Sequence, residues 1–207
     1  HIVEIMSDKE IENMLPNIYM DDIVDFIEEM PAIVVKKVLN NASPDRRTLI
    51  NRLLSYPEFS AGSIMTTEFV DLKKELTVKQ AIDRIRQIGF DRETINTMYV
   101  INDNRVLEGI IEIRKLLLAD ENAIVGSLMD VNYVYIKTTD DQEDVAALFK
   151  KYGYLSMPVV DNEHRLVGII TVDDILDVIE EENEEDFAKM NALAPSDEEY
   201  LSSSVVD

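Results

Sequence analysis

Between residues 173 and 186 the chain carries nine carboxylates and no basic residue: Asp173, Asp174, Asp177, Glu180, Glu181, Glu182, Glu184, Glu185 and Asp186. Helical spacing places Asp173, Asp177 and Glu181 along one face, and Asp177, Glu181 and Glu185 likewise, at i, i+4, i+8. Each exposed like-charge pair at that spacing costs roughly 0.2–0.5 kcal/mol. Folding such a helix therefore concentrates charge that a cation offsets. Mg²⁺ suits the donors, because it takes oxygen ligands in octahedral geometry, keeps several waters and is commonly held by one or two carboxylates. A second acidic face exists near the N-terminus, where Asp21 and Asp25 are spaced i, i+4 with Asp22, Glu28 and Glu29 beside them. A charge run is ordinarily a solvated face, so spacing alone does not assign a ligand set.

Composition narrows the function classes. Lys and Arg total 20 against 42 Asp and Glu, a net charge of -22 in 207 residues, which opposes binding to nucleic acid and to anionic membranes. The absence of cysteine excludes disulfides and thiolate metal sites. With two histidines and no tryptophan, neither a zinc site, a His-activated nucleophile nor a sugar platform has much to build from, and no enzyme is expected. No run approaches the roughly 20 apolar residues of a membrane span. The chain opens on His1 without a signal-like segment, and it is expected to be a soluble portion of a longer polypeptide.

The elements that must position these acids follow from periodicity. Apolar residues at helical spacing from Ser7 to Tyr56 predict four short helices packed as a small bundle. Ser7 with Glu10 forms a capping-box pattern, and Ser43-Pro44 places a cap before a first-turn proline. Tyr56-Pro57 to Gly62 reads as a linker. Then Gly62-Ser63-Ile64-Met65 recurs as Gly126-Ser127-Leu128-Met129, each followed five residues past its Met by a strand-like valine, Val70 or Val134. The first copy predicts a strand over 69–71, a helix over 78–88, strands over 98–101 and 106–111, and a helix over 114–118. The second predicts a strand over 134–136, a helix over 142–151, strands over 157–160 and 166–171, and a helix from 172 into the acidic run. Gly89 and Gly153 read as left-handed helix caps, Asn102-Asp103-Asn104 and Asp161-Asn162-Glu163 as turns, the methionines as core filler, and His164 as an exposed turn residue.

A β-α-β-β-α unit used twice, with Met157-Pro158-Val159-Val160-Asp161 and Gly168-Ile169-Ile170-Thr171-Val172-Asp173-Asp174 in the second copy, resembles a tandem pair of CBS domains. The helical head, the junction from Ala61 to Met65 and the helix from Asp173 to Glu180 resemble the cytosolic portion of MgtE-type magnesium transporters. The fold expected is α+β: an all-α helical domain over 1–56, a linker over 57–61, CBS domains over 62–125 and 126–186, and a tail over 187–207 leading toward a membrane domain outside this sequence. The resemblance implies a homodimer through the CBS domains, held at the cytoplasmic face of the membrane. The same resemblance implies a region that senses Mg²⁺ and shuts the pore of the same polypeptide when Mg²⁺ is high. Several ions are expected, one between Asp21/Asp25 and Asp174/Asp177 and others near Glu181, Glu182 and Glu185. The alternative is an adenine-nucleotide sensor for ATP, with Tyr154 stacking on the base, Thr171 and Asp174 on the ribose and Arg114 on the phosphates. Lys115 in the place of Asp174, and Thr97 where an aromatic residue would help, depart from that pattern. Gly153 stands where the family can present an acidic metal ligand. A third reading is a dimer scaffold for protein interaction.

Overall fold

The computed structural model describes residues 7–28 and 30–193. Ser7 caps α1 (Asp8–Met14) through the reciprocal box with Glu10, and a short 3₁₀ turn at Leu15–Asn17 holds Pro16. Then come α2 (Met20–Glu28), α3 (Ala32–Asn41) and α4 (Pro44–Leu53), the last capped by Ser43 with Pro44 in its first turn. Arg47 donates from Nε to Leu39 O at 2.6 Å and from Nη2 to Asn40 O and Ala42 O, satisfying carbonyls left over at the end of α3. The four-helix head expected from periodicity is therefore present.

Each repeat makes its own three-stranded sheet. In the first, β1 (Asp71–Leu72) runs parallel to β2 (Thr97–Ile101), which pairs antiparallel with β3 (Leu107–Glu112); α5 (Val78–Ile88) and α6 (Ile113–Leu118) complete it. After the short α7 (Val125–Leu128), the second unit repeats the order with β4 (Ile136–Lys137), α8 (Gln142–Tyr152), β5 (Ser156–Val160), β6 (Leu166–Thr171) and α9 (Val172–Leu193). The first strand of each unit starts two residues later than periodicity suggests, and further upstream each unit's entry segment pairs with the other unit. Thr66 and Ile169 exchange both backbone hydrogen bonds at 2.9 Å, and Ile110 exchanges a pair with Asp130. Leu107 N donates to His164 O while Leu166 N donates to Arg105 O, and the buried Tyr99 hydroxyl meets Ser156 Oγ at 2.9 Å. The acidic helix continues past Asp186 to Leu193; residues 194–207 of the expected tail lie outside the described residues. Among the described residues no helix is long and apolar enough to cross a membrane.

Three apolar clusters hold these parts. One unites the head (Ile11, Ile23, Val24, Val38, Ile50) with the second unit (Val145, Phe149, Met157, Ile170) through Ala61 and Met65. A second fills the first unit around Val70, Ala81, Met98 and Leu116, and a third joins Phe69, Tyr99 and Leu107 to Val160, Leu166 and Ile169 between the sheets. Met20, Met65, Met98 and Met157 are buried in or beside these clusters, as filler should be. Segment 57–62, read as a linker, is tied to the second unit: Gln142 N donates to Phe59 O, Ala61 N to Asp140 O and Gly62 N to Thr138 O. Its Pro, Ser and Gly content signals turns without showing where the backbone donors go.

Two sequence expectations need correction. Gly89 is not left-handed (φ -68) but leads into a 3₁₀ turn, so only Gly153 (φ 66) is a left-handed cap. His164 is half-buried in the left-handed region (φ 60), its ring 4.6 Å from Tyr135 and its Nε2 3.0 Å from the Tyr133 hydroxyl. The hydroxyl already donates to Leu107 O, so His164 Nε2 is the donor to it.

A Cβ added at Gly168 would lie 2.7 Å from Thr66 O, where backbone cannot yield without breaking the exchange with Ile169. We expect Gly168→Ala to cost about 1–3 kcal/mol in urea denaturation. Gly153→Ala, which meets open space but an unfavourable φ, should cost about 1 kcal/mol.

Candidate functional site

Counting residues between matched elements of the two units exposes the site. Eight residues, 89–96, join α5 to β2, whereas three, 153–155, join α8 to β5. The extra length in the first unit carries Arg92 and Glu93 to the head. Tyr19 Oη donates to Arg92 O at 3.4 Å, and Glu93 N donates to Glu68 O at 2.8 Å.

Glu93 lies among carboxylates supplied by three parts of the fold: Asp22 on α2, Glu68 before β1, and Asp173 and Asp174 at the start of α9. Burial, followed by the charges of Asp174, Asp173, Asp22 and Glu68, pushes its carboxyl up to about 7. Its Oε2 is buried without a hydrogen-bond partner. Burial also raises Asp174, helped by Asp173 and Asp177 and opposed by Thr171, which donates to its Oδ2 from the hydroxyl at 2.6 Å and from the amide at 3.3 Å. Low dielectric and like charge together make an added cation favourable at this face.

The expected metal residues fall unevenly around this cluster. Asp174 is at its centre, and Asp177 is exposed one turn further along α9 and acts on Asp174. From α2 the charge acting on Glu93 is that of Asp22; Asp25 is exposed on the same helix and has interactions of its own. Glu182 lies farther down α9, where Gln142 Nε2 donates to its Oε1 at 3.4 Å. The side chains of Asp21, Glu181 and Glu185 lie outside the described residues. Among the described residues no three acids or histidines converge as a metal cage. The arrangement suits an ion that keeps most of its water and touches one or two carboxylates, as Mg²⁺ does. Glu93 escaped the sequence reading, although the five-residue difference between the repeats pointed to its loop.

The nucleotide candidates separate into two places. Arg114 and Tyr154 line one cavity of about 570 Å³ with Glu112, Lys115 and Asp130, whereas Thr171 and Asp174 bond to each other at the equivalent position of the second unit. Register makes the equivalence firm: Thr97 pairs with Glu112 as Ser156 pairs with Thr171. Hence Arg114-Lys115 match Asp173-Asp174, and the counterpart of Tyr154 is Ile95 and not Thr97. Tyr154 is half-buried and stacks on Tyr152 at 5.7 Å. Gly153, at its left-handed cap, offers no donor side chain.

Residues 1–59 match the MgtE intracellular N domain, and residues 61–122 and 125–181 match the CBS domain. The magnesium transporter MgtE of Thermus thermophilus is 37% identical over 185 residues, covering 87% of this chain and 41% of that protein. MgtE of Bacillus subtilis is 36% identical over 172 residues, covering 83% and 38%. The chain thus spans about two fifths of the length of these relatives. A crystal structure of the soluble part of a magnesium transporter superposes with a TM-score of 0.85 at 34% identity, over 87% of this chain and 70% of that one. The cytosolic domain of the Mg²⁺ channel MgtE in complex with ATP superposes with a TM-score of 0.78 at 33% identity, over 86% and 77%. Helical head, CBS pair and their arrangement agree in sequence and in structure, and the chain belongs to the MgtE family, whose cytosolic region it represents.

Proposed function

We propose that this chain is the Mg²⁺-sensing regulatory region of a magnesium transporter, acting on a pore outside this sequence at the cytoplasmic face of the membrane. The observation that carries the reading is the cluster of Asp22, Glu68, Glu93, Asp173 and Asp174, in which the head and both repeats contribute to one crowded negative field. A bound divalent cation supplies positive charge there. Asp22 and Asp174 then cease to repel, so the head is held against the start of α9; with the field uncompensated, the closed arrangement is disfavoured. Differential affinity for one arrangement is what a population shift requires. Asp21, Asp25 and Asp177 extend the same face, and Glu181, Glu182 and Glu185 offer further, more solvated sites along α9. The region is read as a regulator and not an enzyme, and as a homodimer through its CBS units. No nucleic acid is expected as a partner.

A second reading concerns the cavity beside Arg114 and Tyr154. Its cations and aromatic ring suit ATP, and the ATP complex of a 33% identical MgtE cytosolic domain supports it. Lys115 replaces the acid that would clamp a ribose, so phosphate contacts would carry more of the affinity.

Calorimetric titration of Mg²⁺ into the chain should show binding that Asp174→Asn or Glu93→Gln weakens about tenfold; unchanged affinity in both variants would remove the sensor reading. ATP should bind separately, with Arg114→Ala weakening it about tenfold and leaving Mg²⁺ affinity intact. A pH dependence follows from Glu93. Its carboxyl is raised from 4.5 to about 7, so the folded chain holds a proton that the unfolded chain has released. Stability contributed by that proton is present at low pH and is lost as pH rises through about 7. In chelator, the thermal midpoint should fall between about pH 5 and pH 8, and Glu93→Gln should flatten that fall.

A further inference from the structure

On the opposite side of the same loop the charge reverses. Arg46 and Arg52 of α4, Arg92 of the 89–96 loop and Arg105 of the β2–β3 turn line one cavity of about 600 Å³ between the head and the repeats. These are four of the nine arginines in a chain of net charge -22. None of them forms an ion pair with a carboxylate among the described residues. Arg46 Nη2 donates to Ile18 O at 2.7 Å and Arg105 Nη2 to Leu166 O at 3.0 Å, which spends one donor of each guanidinium. Arg46 Nε and Arg92 Nε are buried with no hydrogen-bond partner.

Two acids, Asp45 and Glu68, also border the cavity. Glu68 is already engaged, accepting from the hydroxyls of Thr66 and Thr67. Four guanidiniums against two carboxylates leave an excess of two positive charges, which an anion would offset, most strongly beside the half-buried Arg46 and Arg92. The buried Nε groups ask for acceptors, and guanidinium geometry matches phosphate oxygens. Phase and size add a second requirement. Met20, Leu49, Phe69 and Val167 form an apolar wall, and the volume falls within the range of small-molecule sites, roughly 300–1,000 Å³.

We infer that this cavity binds a phosphorylated small molecule, its dianionic phosphate on Arg46, Arg52 and Arg92 and its apolar part against Phe69 and Leu49. The site differs from the Arg114–Tyr154 cavity in every lining residue.

The test is calorimetric titration of pyrophosphate and of AMP into the intact chain in chelator, so that the outcome does not depend on Mg²⁺ sensing. Because Arg46 also supports the backbone at Ile18, Arg52→Gln is the cleaner variant: the Arg52 side chain has no hydrogen bond or ion pair to a described residue. At least one probe should bind, with affinity falling about tenfold in Arg52→Gln and in Arg92→Gln but not in Arg114→Ala. Absence of binding by either probe at millimolar concentration would overturn the proposal. So would binding that Arg114→Ala abolishes while Arg52→Gln leaves it unchanged.

Discussion

The backbone exchange between Thr66 and Ile169 fixes the start of the first repeat against the last strand of the second, and with it the acidic cluster on the repeat side. Two residues beyond Thr66 comes Glu68, and two beyond Ile169 comes Thr171, whose hydroxyl orients Asp174. Because each partner is held at both N–H and C=O, neither segment can slide without orphaning two buried groups, which costs about 1–3 kcal/mol apiece. Gly168 lets the chains approach closely enough for that exchange. The acidic face is therefore rigid on its repeat side, and only the contribution of α2 depends on how the head is docked. Under the proposed sensor, that asymmetry would set fixed charges on one body against a movable charge on another.

Docking of the head is not governed by charge alone. Its core runs through Ala61 and Met65 into the second unit, so apolar burial favours contact near the junction while the carboxylates oppose contact near Asp22. The 89–96 loop stands where the two tendencies meet. Arg92 turns to the arginine-lined cavity and Glu93 to the acidic cluster, adjacent residues on opposite charge fields. A loop so placed responds to whatever neutralises either side.

The fold was legible because it rests on local signals: helical periodicity and caps in the head, and a repeat whose strands and turns recur in order. Asn102 and Asp161 behave as turn formers should, each accepting two backbone N–H bonds through its side chain. Asp174, expected from sequence as a ligand at the start of the acidic helix, accepts from the amide and hydroxyl of Thr171 there. Other parts were hidden for a physical reason. Arg46, Arg52, Arg92 and Arg105 are brought together only by tertiary packing, and no periodicity relates them. His164 looked exposed because its partners Tyr133 and Tyr135 lie some thirty residues away in sequence. Glu93 was hidden by length: an insertion has no counterpart in the other repeat, and a reading built on recurrence passes over it.

Insertion is not the only way the two units have parted. Positions that fold and register make equivalent hold Arg114-Lys115 in one and Asp173-Asp174 in the other, a reversal of four charges at matched places. Glu112 likewise stands where the second unit has Thr171. A ligand site shared by symmetry would need the same donors twice, and here one cleft presents Arg114 and Lys115 where the other presents Asp173 and Asp174. The pair has thus kept its scaffold, with the Thr66–Ile169 exchange mirrored by Ile110–Asp130 and the Leu107–His164 bond by Leu166–Arg105, while its two clefts carry opposite charge. Under the proposed function, that divergence would place a metal signal and an anion signal at separate clefts of one frame.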